Sequence, residues 1–125
     1  MSITVRDISH KRDVKEVDEL HEKGYKFYLA RTNHPQKRVE ALEYILKKSD
    51  INFDVEVWKS TWIAGYYHIL AIDREVTYEV YKLLDKAGIS IEKQSHLATK
   101  GDATLKEGHT RYRRLTGNEV KQMIM

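Results

Sequence analysis

Cysteine is absent from this chain of 125 residues. That excludes a disulfide scaffold, thiolate zinc sites and a thiol nucleophile, and it is compatible with a reducing compartment. Proline occurs once, at Pro35. Long apolar runs are also lacking. The longest mostly apolar stretch, 62–72, is too short to span a bilayer and is interrupted by His68. The first residues, Met-Ser-Ile-Thr-Val-Arg-Asp, lack the basic-then-apolar layout of a secretory signal. The expectation is a cytoplasmic protein with no membrane partner. No internal repeat, glycine-rich phosphate loop or HExxH metal motif is present.

What remains suits one folded domain. Apolar residues make up 41% of the chain and charged residues 33%, a globular rather than a disordered composition. A chain of this length buries enough surface to need no metal or disulfide. The net charge of +3 is unevenly placed. Residues 93–125 hold seven cations (Lys93, Lys100, Lys106, Arg111, Arg113, Arg114, Lys121) against three anions (Asp102, Glu107, Glu119). The other 92 residues are nearly balanced. A neutral body (1–92) with a basic end (93–125), both in one domain, is a pattern found in proteins that bind polyanions or acidic surfaces.

Periodicity predicts the order β-α-β-α-β-β-α-β. Ile3-Thr-Val-Arg alternates as a short strand. Ser9 is placed to cap a helix over 10–23, with Val14, Val17 and Leu20 on one face and Gly24 to end it. A strand follows over 25–30. The next helix starts near Pro35 and carries the stripe Val39, Leu42, Ile45 and Leu46. Residues 51–58 alternate cleanly, with Phe53, Val55 and Val57 toward a core and Asp54, Glu56 and Trp58 on the other, wet face. Residues 65–72 are apolar on both faces and suit a central strand hairpinned to the preceding one. Asp73 is expected to cap a helix carrying Val76, Val80, Leu83 and Leu84, ended by Gly88. A last strand covers 89–92, and Thr116-x-x-Glu119 has the form of a capping box for a short final helix. The fold class is α+β: a mostly antiparallel sheet of four or five strands, two to three packed helices, and a basic C-terminal extension.

For function, the stretch His109-Thr-Arg-Tyr-Arg-Arg114 is the most suggestive. Guanidiniums pair with phosphates in a fixed fork, and an aromatic ring between them offers a stacking surface. Lys100, Lys106, His109, Arg111, Tyr112, Arg113 and Arg114 are therefore the candidate nucleic-acid contacts, to DNA or RNA. Asp54 and Glu56 share a strand face with Trp58, which would be an exposed anchor for a protein partner. The same two acids resemble half of a metal-dependent nuclease site. The lysine that should complete it, Lys59, points to the opposite face, so no metal ligand set and no catalytic residue is assigned. The six histidines show no zinc spacing. His68 reads as a buried core histidine, and His96 and His109 as a remote acid–base pair for RNA cleavage. The leading expectation is a small non-catalytic nucleic-acid-binding protein without cofactor. The first alternative is an accessory or inhibitor protein, of the mobile-element kind, that binds another protein. A metal-dependent nuclease is third.

Overall fold

The computed structural model describes residues 2–7, 14–59, 67–93 and 112–124. The elements run β1 (Ile3–Asp7), α1 (Val14–Glu22), β2 (Lys26–Arg31), α2 (Pro35–Lys47), β3 (Val55–Lys59), β4 (Tyr67–Ile72), α3 (Tyr78–Lys86), β5 (Ser90–Ile91), β6 (Arg114–Leu115) and α4 (Gly117–Ile124). All six strands join one sheet in the order β1-β3-β4-β2-β5, and β6 also pairs with β2. The sheet is mixed. β1 lies parallel to β3, while β3–β4, β2–β4, β2–β5 and β2–β6 are antiparallel.

The doubly apolar β4 lies between β3 and β2, and five of its six residues are buried. Its side chains alternate between two cores. Leu70 and Ile72 join Tyr28, Val55 and Val57 beneath α2 and α3. Ile69 and Ala71 join Phe27, Trp58 and Leu115 beneath α1 and α4. The molecule is therefore a sheet with helices on both faces.

This second core overturns one expectation. The face of β3 that carries Trp58 is not wet. Trp58 is fully buried, with its ring centroid 5.5 Å from that of Phe27. The C-terminal residues supply part of the cover: Leu115, Val120 and Ile124 pack on Val17 and Leu20 of α1. Their contribution is invisible from the alternation of β3 alone.

Two boundaries also move. The regular strand predicted over 51–58 begins only at Val55. Asp73 does not cap α3. Thr77 does, its hydroxyl accepting from the Val80 N–H at 3.3 Å. The Val76 N–H instead donates to the buried Tyr28 hydroxyl at 3.0 Å, and the capping Thr77 that follows is extended, with φ −86° and ψ 173°. The capping box forms as expected: the Glu119 N–H donates to the Thr116 hydroxyl at 3.1 Å, and the Thr116 N–H to Glu119 Oε1 at 3.0 Å. The predicted Ser9 cap lies outside the described residues. Among the described residues no helix is long and apolar enough to cross a membrane.

Candidate nucleic-acid interface

The outer edge of β2 is covered by two short strands that run in the same direction. Ile91 and Ser90 of β5 face Ala30 and Arg31; Leu115 and Arg114 of β6 face Phe27 and Tyr28. They act as one edge strand opened at its middle. The opening is closed by a bridge between Lys93 and Tyr112 and by an Arg113 N–H that donates to the Glu92 carbonyl at 2.8 Å. Backbone pairing thus fixes where Tyr112, Arg113 and Arg114 sit, as the need to satisfy main-chain groups requires.

These three residues are brought together but play different parts. The Tyr112 ring stacks on Tyr81 of α3, with centroids 4.8 Å apart and planes 21° apart. Burial, then the neighbouring phenols of Tyr81 and Tyr78, pushes the Tyr112 hydroxyl up to about 12. One face of the ring that was expected to receive a base is therefore occupied. Arg113 is exposed, its Nη2 3.9 Å from Glu119 Oε2. Arg114 is exposed and has no carboxylate partner among the described residues. With Lys26, Tyr25, Phe27, Leu115 and Thr116 it lines a cavity of about 410 Å³.

Further cations border the same edge. Lys93 Nζ lies 5.7 Å from the Tyr81 ring centroid, and Lys82 Nζ lies 5.4 Å from that of Tyr78. Arg31 is exposed at the far end of β2. Lys26, Arg31, Tyr78, Tyr81 and Lys82 are not marked as site residues by the sequence pattern of the C-terminal segment. The i,i+3 spacing of Tyr78 and Tyr81 with Lys82 beside them was an available signal. The pairing of Lys26 and Arg31 with the C-terminal edge was not. Lys100, Lys106, His109 and Arg111 lie outside the described residues, as does His96.

The other predicted surface does not assemble as expected. Trp58 is buried and cannot anchor a partner. Its indole N–H donates to Glu56 Oε1 at 3.2 Å, and Arg6 Nη1 reaches the same oxygen at 3.3 Å while also pairing with Glu16. Asp54 Oδ1 accepts the Ser2 N–H at 2.6 Å. Burial raises the Tyr25 hydroxyl, and the nearby charges of Asp54, Asp73 and Glu56 raise it further. Lys59 pairs with Asp7 at 3.7 Å. Among the described residues no three His, Asp or Glu side chains are grouped so as to hold a metal ion. Asp54 and Glu56 belong to the β3 region, which β4 and β2 separate from the basic edge. His68 is buried in β4, 7% exposed.

Compared with protein-family models, with curated proteins and with solved structures, the chain matches none of them.

Proposed function

We propose that this is a non-catalytic nucleic-acid-binding protein that holds a strand by its phosphates along the β5–β6 edge. The observation that carries this reading is the docking of β6 on β2, which brings Lys26, Arg31, Lys93, Arg113 and Arg114 to one sheet edge, with Lys26, Lys93 and Arg114 toward one face and Arg31 and Arg113 toward the other. β2 spans six residues, so the edge extends over about 17 Å. Arginine forks and lysine ammoniums spread along both faces of one edge match a polyanion better than a single small ligand. The half-buried Glu92, next to Lys93 in sequence, and Glu119, which pairs with Arg113, reduce the charge of this edge without cancelling it. Recognition of this kind is tolerant of base sequence. The protein-docking alternative loses its anchor with the burial of Trp58.

The test is fluorescence anisotropy with labelled single- and double-stranded DNA and RNA across a salt series. Five phosphate contacts give a log–log slope of roughly −4. The variant K93Q/R113Q/R114Q is expected to lose at least about tenfold in affinity at low salt and to have a shallower slope, with a nearly unchanged melting temperature. Absence of binding at low salt, or wild-type binding by the variant, refutes the reading.

A further inference from the structure

The two sides of the β5–β6 edge are not alike. On the side of α1 and α4 the cations are engaged: Arg113 Nη2 lies 3.9 Å from Glu119 Oε2, and Arg31 lies 6.0 Å from the Tyr67 ring centroid. On the side of α3 they border aromatic rings. Arg114 is opposite Tyr28, whose ring belongs to the core beneath α3, and Tyr112 shares that side by alternation. The Tyr112 ring stacks on Tyr81 at 4.8 Å. Lys93, bridged to Tyr112, has its Nζ 5.7 Å from the Tyr81 ring centroid. One turn earlier on α3, the Tyr78 ring has the Lys82 Nζ 5.4 Å from its centroid. Tyr78 and Tyr81 are three residues apart, so they neighbour each other on the helix surface.

The Tyr28 hydroxyl ties Arg114 to the same patch. It accepts the Val76 N–H at 3.0 Å, two residues before Tyr78. Burial raises this hydroxyl, the Val76 N–H lowers it, Glu75 raises it and the Arg114 charge lowers it. Arg114 is thus within electrostatic reach of the point where α3 begins. Lys82, Lys93 and Arg114 are exposed, and Tyr78, Tyr81 and Tyr112 are half-buried. Cations and rings interleave on one side of the edge.

We propose, resting on the nucleic-acid reading of this edge, that the bound strand is single, with bases turned onto Tyr78 and Tyr81 and phosphates on Lys82, Lys93 and Arg114. Phosphate contacts serve duplexes and single strands alike. Rings do not, because a base must leave its pair and its stack to lie on a tyrosine. The ammoniums over the rings do not bar the way. An exposed ammonium–ring contact is worth about two- to fivefold in affinity, and a stacked base about five- to 150-fold. A base therefore displaces the ammonium, which becomes free for the adjoining phosphate. Tyr112 backs Tyr81 and holds it in place.

The test is fluorescence anisotropy at low salt with three labelled probes of about twelve nucleotides: oligothymidine, its duplex with oligoadenine, and an abasic strand with the same phosphates. The single strand is expected to bind at least about tenfold more tightly than the duplex or the abasic strand. Y78A should weaken the single strand at least about fivefold, leave the other two probes unchanged and keep the wild-type salt slope, because no charge is lost. Y78F, which keeps the ring, should bind as the wild type does. A duplex or abasic strand that binds the wild type as tightly as the single strand overturns the proposal. So does wild-type affinity in Y78A, or a uniform weakening of all three probes, which is what a purely structural ring would give. If Y78A fails to fold, the abasic strand carries the test. Should duplex and single strand bind equally and both be lost in K93Q/R113Q/R114Q, the edge stands and the stacking falls. Should no probe bind at low salt, both fall.

Discussion

The Trp58 indole N–H and an Arg6 guanidinium N–H share one acceptor, Glu56 Oε1, at 3.2 and 3.3 Å. The pair sits at the rim of the second core, with the Trp58 ring wholly inside it. Trp58→Ala is therefore expected to cost about 3–5 kcal/mol, as large-to-small changes of buried aromatics do. Urea denaturation measures it. Glu56→Gln keeps an acceptor for the indole, whereas Glu56→Lys places an ammonium beside Arg6 and leaves the buried N–H unmet. The lysine variant should cost more than the glutamine variant by about 1 kcal/mol or more. Equal costs would mean that the rim pairing contributes nothing.

The contrast between Val55 and Trp58 marks how far the fold was legible. Val55 and Val57 alternate with polar residues, and that period alone points them into a core. Trp58 looks exposed by the same rule, because nothing local says that α4 returns to cover its face. The doubly apolar β4 did carry that information: a strand apolar on both sides needs two covers, and it has them. The capping box of Thr116 and Glu119 was also readable, since it is a contact between neighbours in sequence. The basic edge was not readable as a unit. Arg114 lies opposite Tyr28 and Ser90 opposite Arg31 through pairings that span most of the chain. Sequence spacing does not encode such a register.

Thr116→Ala tests whether α4 is part of the fold or an appendage. The Thr116 hydroxyl accepts the Glu119 N–H at 3.1 Å, and losing such a cap costs about 1 kcal/mol. Val120 and Ile124 are fully buried against α1. The loss should therefore lower the midpoint of the single global transition. A separate early transition confined to α4 would contradict this.

Gly88→Ala probes the bracing of Arg38. Gly24 and Gly88 have nearly the same backbone conformation, φ 90° and 89°. Each substitution incurs the left-handed penalty of about 1–2 kcal/mol. Nothing lies within 4 Å of a Cβ at Gly24, whereas one at Gly88 meets Arg38 at 2.8 Å. Gly88→Ala should therefore be the more costly of the two. The excess should shrink in an Arg38→Ala background, where the obstructing side chain is gone. An excess that persists in the double variant would place the clash elsewhere.

Tyr112 makes an alkaline prediction. Its hydroxyl is pushed from 10.0 up to about 12, first by burial and then by Tyr81 and Tyr78. The folded state thus favours the neutral phenol. The associated stability is fully present below about pH 10, where both folded and unfolded chains keep the proton. It declines as the pH rises through about 12, because the unfolded chain ionises first and is favoured by doing so. Tyr28 and Tyr25 are also raised, each chiefly by burial, and act in the same direction. Tyr112→Phe should therefore reduce, without abolishing, the loss of stability between about pH 10 and 12. Denaturant midpoints measured across that window check it, and ultraviolet absorbance near the phenolate band follows the ionisation directly. The wild-type spectrum should contain a late phase near pH 12 that the variant lacks. If both proteins lose stability equally across the window and ionise alike, the Tyr112 phenol is not held by its stack on Tyr81. The edge that carries Arg113 and Arg114 would then be less firmly seated on α3 than the 4.8 Å ring separation implies.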